Sequence, residues 1–324
     1  MRTQGFLIVN PRSGDGSPSG DELAEEARRQ GIEVRLLGKG ENPADAAAEA
    51  PDGPLGVAGG DGSLGAVAAV ALEREVPFVC VPFGTRNHFA RDIGLDRDDP
   101  VAALDAFTDG RELHVDVGAV GDRVFLNNVS LGVYAGLVHR RERHRRRGEV
   151  LARVRGLAAV AHHRHHLRAR MNGEPLSARV ILVGNNRYEL SLFTLGERER
   201  IDEGLLHLWA AAGVLPRAWE ERTAERFEIE LRSSSVRAAI DGEPAMLETP
   251  LRFESRPGAL RVLVPATMQN DRREGGAMHD NPRASEEEQE QAHEGRQQEE
   301  ESMRYPEHDD PDTERERASN DGGE

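Results

Sequence analysis

Short apolar segments alternate with helical patterns over residues 6–115, and this alternation constrains the fold more than any other feature of the sequence. In chain order the segments are "FLIVN", a helix over 20–30, "EVRLL", a helix over 44–50, "LGVAGG", a helix over 63–73 and "FVCVP". Strands that alternate with helices favour a parallel sheet with helices on both faces. We therefore predict an N-terminal α/β domain over residues 1–115.

Turn-rich loops follow the first, third and fourth of these strands: "NPRSGDG", "GGDGS" and "PFGTRNHF". Ligands of such sheets bind beyond the carboxyl ends of the strands, so the loops should meet in one crevice. In "GGDGS", the glycines let the backbone approach a ligand closely, and the following helix points its first amides at an anion. A plain structural turn uses the same glycines. The motif by itself leaves phosphate binding and a turn both open.

From about residue 116 the pattern changes to short apolar runs separated by Gly, Asn and Pro. Examples are "RVFLNNVSLG", "ARVILVGNN", "RFEIELRS" and "ALRVLVP". Strands at this spacing are typical of a β-sandwich. We predict a β-sandwich-like second domain over residues 116–269, interrupted by a helical insertion over 139–170.

Charge is distributed unevenly along the chain. The insertion contains eleven Arg and six His against two Glu, a basic amphipathic pattern that suits an anionic membrane surface. A solvated basic face on a core helix gives the same pattern. After residue 269, nineteen acidic residues and seven Arg account for −12 of the net charge of −16. This segment is almost without aliphatic residues, so residues 270–324 are predicted to form a disordered acidic tail.

Several classes of protein do not fit the composition. The start of the chain reads as a first strand rather than a signal peptide, and no window has the eighteen or so apolar residues of a membrane span. The single cysteine, Cys80, excludes an intrachain disulfide and a Cys-based zinc site. Three Tyr and two Trp offer no surface for base stacking, so no nucleic-acid partner is expected. We expect a cytoplasmic protein that is peripheral to the inner face of the membrane.

Four segments in order resemble the catalytic domain of the diacylglycerol kinase family of lipid kinases, which includes sphingosine and ceramide kinases. They are "NPRSG" at 10–14, "GGDGS" at 59–63, "PFGTRNHFARDIGL" at 82–95 and "DGE" at 241–243. The resemblance covers about residues 5–265 and implies a first domain similar to those of NAD kinases and phosphofructokinases. It also implies ATP binding by the first three segments, through Asn10, Ser13, Gly14, Gly59, Gly60, Asp61, Gly62, Ser63, Thr85 and Asn87.

The chemistry implied is phosphoryl transfer from ATP to a lipid hydroxyl. A carboxylate near that hydroxyl can accept its proton, and Asp241 and Glu243 are the candidates. In an extended segment both side chains would lie on one face, unless Gly242 makes a turn. Read without the resemblance, "DGE" favours a hairpin corner with two solvated acids.

The resemblance also implies Mg²⁺, for which the candidate ligand is Glu203, in the position before a glycine where the family has an acid. Two positions depart from the family pattern. His88 stands where an acid usually follows the asparagine, and Tyr134 stands where an acid is common. A histidine is a poor ligand for a hard cation, so a metal network through that site must be altered.

We interpret the chain as an ATP-dependent lipid kinase with a lipid substrate and an anionic membrane surface as partners. The acceptor lipid is not determined by the sequence, and a homodimer is left open. Two alternatives remain. One is a soluble small-molecule kinase similar to the NAD kinases. The other is a catalytically impaired, membrane-associated nucleotide-binding protein, which the departures at His88 and Tyr134 make conceivable.

Overall fold

The first four strands form a parallel sheet in the order β2-β1-β3-β4. Their bounds are β1 Phe6–Val9, β2 Glu33–Leu36, β3 Leu55–Gly59 and β4 Phe78–Pro82. The computed structural model describes residues 5–14, 17–84, 87–132, 167–191, 194–198, 200–211 and 219–268. Every residue of β1, β3 and β4 is buried, as expected for central strands of a sheet covered on its faces.

The helices of this region begin where the sequence supplies capping groups. They are α1 Gly20–Arg29, α2 Pro43–Ala48, α3 Asp61–Glu73 and α4 His88–Asp92, followed by a 3₁₀ helix at Ala102–Phe107. Ser19 and Glu22 form a capping box at α1, and the Asn42 side chain caps α2. The longest helix, α3, begins at Gly60 without a side-chain cap, so the amides of its first turn are not used by a cap.

Strands make up almost all of the described chain after residue 109. They are β5 Gly110–Val120, β6 Arg123–Phe125, β7 Asn128–Gly132, β8 Leu167–Met171, β9 Glu174–Ala178, β10 Val180–Asn185, β11 Tyr188–Ser191, β12 Thr194–Arg198, β13 Leu206–Ala211, β14 Trp219–Ala224, β15 Arg226–Leu231, β16 Ser235–Ile240, β17 Glu243–Glu248 and β18 Leu251–Pro265. The last strand, β18, pairs parallel with β4 and antiparallel with β5. The parallel sheet therefore continues into the strand-rich part, in the order β4-β18-β15-β8-β9.

A second sheet has the strand order β14-β13-β10-β7-β16-β17, and β11 pairs with β12 separately. One buried apolar cluster contains residues of β7, β10, β13 and β16 from the second sheet, and residues of β8, β15 and β18 from the first. The two sheets therefore pack face to face, which is a sandwich arrangement. A separate cluster lies around the parallel strands and their helices.

The predicted parallel sheet and the predicted strand-rich part are both present, and the two clusters give each its own core. The exact division at residues 115 and 116 stays a prediction, since β5 spans it and contributes to both clusters. The helical insertion was predicted too long at its end. Residues 167–171 form strand β8, because "LRARM" alternates arginines with residues buried in the sandwich core.

The remainder of the insertion and the acidic tail, residues 139–166 and 270–324, lie outside the described residues. Among the residues that are described, no helix is long and apolar enough to cross a membrane.

We predict that Asp116→Ala destabilises the protein. Asp116 is 1% exposed, and its two carboxylate oxygens accept the amides of Gly204 at 2.6 Å and Gly258 at 2.7 Å. Removing the carboxylate leaves two donors without their acceptor, at a cost of about 3 kcal/mol in the free energy of unfolding. Urea denaturation measures the loss. The control is Asp202→Ala, which removes an exposed carboxylate paired with Arg200. Equal stability of both variants would contradict the prediction.

Candidate active site

The loops after β1 and β3 are joined by a side-chain hydrogen bond. Asn10 follows β1, and its Nδ2 donates to Ser63 Oγ in the first turn of α3 at 3.0 Å. The Asn10 backbone amide donates to Ala58 O at 2.9 Å, which continues the sheet ladder to the loop. A turn follows, in which the Ser13 amide donates to Asn10 O at 3.0 Å. Asn10, Ser13 and Ser63 therefore lie at one edge of the parallel sheet, as predicted.

The loops after β3 and β4 touch through their backbones. A Cβ atom added at Gly84 would lie 2.6 Å from Gly60 Cα, so the loop after β4 has no room for a side chain at that position. Gly14, in the first loop, packs similarly against the Phe83 ring, with an added Cβ within 2.6 Å of it. The Phe89 amide of α4 lies 3.5 Å from Asp61 Oδ1. The three glycine-containing loops therefore meet in one place.

Asn87 closes the third loop in a left-handed conformation, with φ of 46°. Its Nδ2 donates to Gly84 O at 2.7 Å, while its Oδ1 is buried and accepts no hydrogen bond from the described residues. The neighbouring Thr85, predicted to bind nucleotide, lies outside the described residues, as does Tyr134. His88 is the first residue of α4, directly beyond this loop.

The "DGE" segment is the tip of a hairpin between β16 and β17. Asp241 and Gly242 form the two-residue turn, with φ of 47° and 83°. Both central residues of such a turn need positive φ, which Asp tolerates and Gly adopts freely. Gly242 therefore does make the turn that the sequence left open, and Asp241 and Glu243 are not neighbours on one face of a single strand.

The Asp241 carboxylate accepts three backbone amides. Oδ2 accepts the Leu126 amide at 2.8 Å, and Oδ1 accepts those of Asn127 at 2.7 Å and Asn128 at 3.0 Å. Removal from water raises the pKa of Asp241, the three amides lower it, and the nearby charge of Asp61 raises it again. The balance raises the pKa to about 6.

The tip of this hairpin lies against the beginning of α3. A Cβ added at Gly62 would lie 2.7 Å from Cγ and Cδ of Glu243, and one added at Gly65 would lie 3.1 Å from Asp241 Oδ2. The Glu243 carboxylate is therefore next to the first turn of α3, whose N-terminus is not capped by a side chain. The space beside the third glycine of "GGDG" is thus occupied by a side chain from the sandwich.

Glu203, the predicted metal ligand, lies on the loop before β13. Its Oε2 accepts the Arg187 amide at 3.0 Å and lies 3.3 Å from His207 Nε2. Within the described part of the chain, no three His, Cys, Asp or Glu side chains converge closely enough to hold a metal ion. A metal bound here would need ligands from elsewhere, such as nucleotide phosphates, and the role of Glu203 stays a prediction.

A buried polar network behind the hairpin was not predicted from the sequence. Arg198 and Asp92 form an ion pair at 2.7 Å with both side chains 0% exposed. Asn185 Nδ2 donates to Asp116 O at 2.8 Å and to Leu126 O at 3.0 Å. The sequence contained one signal for this network. "NHFARDIGL" places an acid among apolar residues, and an acid that is buried rarely lacks a partner. Its partner is 106 residues away, however, and nothing in the sequence identifies it.

Comparison with known proteins finds similar sequences and a similar fold. Residues 4–120 match the family model of the diacylglycerol kinase catalytic domain. A probable lipid kinase described as YegS-like, from Cronobacter sakazakii, is 29% identical over 293 residues, covering 80% of this chain and 95% of its own. A second protein of that description, from Pseudomonas aeruginosa, is 28% identical over 243 residues, covering 65% of this chain and 76% of its own.

The fold is shared with a solved structure as well. The crystal structure of a diacylglycerol kinase from Bacillus anthracis superposes with a TM-score of 0.61 at 18% identity, covering 81% of this chain and 97% of that one. The family model and the curated relatives show that this chain is similar to lipid kinases. The resemblance to the diacylglycerol kinase family that was stated for the four segments is confirmed.

We predict that Asp241→Asn changes how stability depends on pH. In the folded protein the pKa of Asp241 is about 6, above the ordinary value of 3.8, so the stabilisation from the protonated form is present below about pH 4. It is lost as pH rises through about 6. The Tm of Asp241→Asn relative to that of the parent should therefore increase across this window. A difference that is constant from pH 4 to 8 would contradict the raised pKa.

Proposed function

We propose that the chain transfers the γ-phosphate of ATP to a hydroxyl of diacylglycerol or a related lipid at the membrane surface. The observation that carries this proposal is the position of Glu243. It belongs to the sandwich, yet its carboxylate lies beside Gly62, at the N-terminus of α3, where the three loops meet. A proton acceptor and an anion-binding helix end are thus adjacent.

In this proposal the triphosphate of ATP lies along the loops of the parallel sheet. The amides in the first turn of α3 face the phosphates, and Asn10 and Ser63 fix that turn to the first loop. The chain has no Walker A sequence, and its only lysine is Lys39, so backbone amides replace a phosphate-binding lysine. Mg²⁺, when bound with ATP, would neutralise phosphate charge, with Glu203 as the predicted protein ligand.

The two carboxylates of the hairpin have different roles. Glu243 accepts the proton of the lipid hydroxyl as the hydroxyl oxygen bonds to the γ-phosphorus. The bond from the γ-phosphorus to the bridging oxygen breaks, and ADP leaves with that electron pair. Asp241 is occupied by three amides, so its role is to hold the turn that carries Glu243. It does this best when ionised, because only a carboxylate accepts on both oxygens.

The proposal includes a lipid acceptor and a membrane surface because lipid kinases phosphorylate a hydroxyl of a lipid. Diacylglycerol, another glycerolipid, a sphingoid base or a polyprenol each present one hydroxyl beside a long apolar chain. The basic residues between 139 and 166 would attract the anionic inner face of a membrane, where each contributes on the order of 1 kcal/mol. Such a protein would act as a peripheral cytoplasmic enzyme, and a homodimer is compatible with this role.

We predict that Glu243→Gln lowers kcat by at least about 100-fold, because glutamine keeps the shape of the side chain but accepts no proton. The measurement is transfer of labelled γ-phosphate from ATP to a total lipid extract in mixed micelles with Mg²⁺. The matched control is Glu248→Gln, an exposed residue at the other end of β17. A labelled lipid made by the parent and the control, but not by Glu243→Gln, supports the proposal.

The same assay discriminates between the alternatives. A labelled water-soluble product made equally with or without vesicles would indicate a small-molecule kinase similar to the NAD kinases. ATP binding without any labelled product would indicate a nucleotide-binding protein that has lost catalysis. Either result would overturn the proposed transfer to a lipid.

We also predict that Gly62→Ala separates activity from stability. The added methyl group meets the flexible end of Glu243 rather than backbone, and alanine favours the helix more than glycine. Tm should therefore stay within about 2 °C of the parent value. The carboxylate has to move away, however, so kcat should fall by about 100-fold or more. Unchanged kcat would show that the position of Glu243 beside α3 is not used in the reaction.

A further inference from the structure

Arg198, on β12, is among the largest side chains that are fully buried in the described chain. Its Nε donates to Asp92 Oδ2 at 2.7 Å, and the other oxygen of Asp92 accepts from Arg91 at 3.1 Å. A buried charge is costly unless it is paired and every donor is satisfied. Arginine suits this site because its planar fork directs several donors in fixed directions.

The remaining donors of Arg198 are directed at the segment that holds Asp241. Nη1 donates to Leu126 O at 2.7 Å, and Nη2 donates to Asn127 Oδ1 at 3.2 Å. The amides of these same two residues donate to the Asp241 carboxylate. The segment 126–127 is therefore held by a guanidinium through its oxygens and by a carboxylate through its amides. Nη1 also donates to Asn185 O at 3.1 Å, which anchors the end of β10.

We propose that Arg198 is a positioning residue for phosphoryl transfer: it fixes the backbone amides that hold Asp241, and with them the turn that carries Glu243. Through Asp92 it also joins this segment to α4, which directly follows the third nucleotide loop. One side chain thus fixes the position of the turn that carries Glu243 relative to the loops that are proposed to bind nucleotide. The inference rests on the proposed function for its kinetic consequence, but the arrangement of the amides is independent of it.

The titration of Asp241 reports on this arrangement. The charged and titratable groups that act on Asp241 are Asp61 from α3, Arg198 from β12 and Tyr188 from β11. Glu243, the first residue of β17, is the nearest ionisable residue along the chain. Displaced amides would no longer stabilise the ionised carboxylate, so the pKa of Asp241 would rise further. If the Arg198–Asp92 pair only filled the core, its disruption would lower stability without changing the pKa of Asp241.

The test compares the parent with Arg198→Lys and Asn127→Ala. Lysine keeps the charge opposite Asp92, but its single ammonium cannot also reach Leu126 O and Asn127 Oδ1. Asn127→Ala leaves the ion pair and the backbone amide in place and removes one acceptor of the guanidinium, so it should fold even if the lysine variant does not. The matched control is Arg252→Met, which removes an arginine paired with Glu228 on the exposed side of β18.

The first readout needs no activity. The Tm difference between Asp241→Asn and its Asp241 counterpart is measured against pH in each background. The midpoint of its change is expected at about pH 6 in the parent and in the Arg252→Met background. It should move up by about one pH unit in the Arg198→Lys background and by a smaller amount with Asn127→Ala. An unchanged inflection in both backgrounds would overturn the inference, whatever the enzyme does.

The second readout is kinetic. Affinity for a non-hydrolysable ATP analogue should stay within about twofold of the parent value, while kcat for lipid labelling falls about 10-fold or more in Arg198→Lys, with its acidic limb at higher pH. Unchanged kcat with a lowered Tm would reduce Arg198 to a structural residue. If the parent labels no lipid, the proposed function fails, and the titration alone then decides the role of Arg198.

Discussion

The candidate active site depends most on one interaction, the binding of the Asp241 carboxylate by three consecutive backbone amides. Asp241 lies at the tip of a hairpin, and the amides of residues 126–128 hold it. This interaction brings the tip against α3, where Gly62 and Gly65 leave room for it. Without it the hairpin would keep its strand pairing, but Glu243 would no longer have a fixed position beside the helix end. An acid of the sandwich thus becomes part of a site built on the parallel sheet.

The fold supports this arrangement by making the sandwich continuous with the parallel sheet. Strand β18 pairs with β4 and with β5, so the strands that carry the loops and those that carry the hairpin belong to connected sheets. Buried carboxylates fix the connections where strand pairing ends, since Asp116 binds two loop amides and Asp92 binds Arg198. The relative placement of loops and hairpin is thereby determined by hydrogen bonds in the interior, where water does not compete.

Sequence reasoning predicted the parts of this molecule that depend on local pattern. Alternating apolar and helical stretches identified the parallel sheet, and glycine-rich turns identified loops that do meet at its edge. The sequence did not predict pairings between residues that are far apart along the chain. No local signal assigns β18 to β4 or Arg198 to Asp92, because each pair is joined only after the chain has folded. It also extended a basic helical pattern into β8, where the alternation of "LRARM" is the better guide.

A structure of the chain with a non-hydrolysable ATP analogue would test most directly whether Glu243 lies beside the nucleotide phosphates. The triphosphate is expected to lie against the amides of Asp61 and Gly62, with the γ-phosphate on the side of α3 where Glu243 lies and space for a hydroxyl between them. A nucleotide bound elsewhere, or one whose γ-phosphate is directed away from the hairpin, would show that Glu243 does not act in phosphoryl transfer.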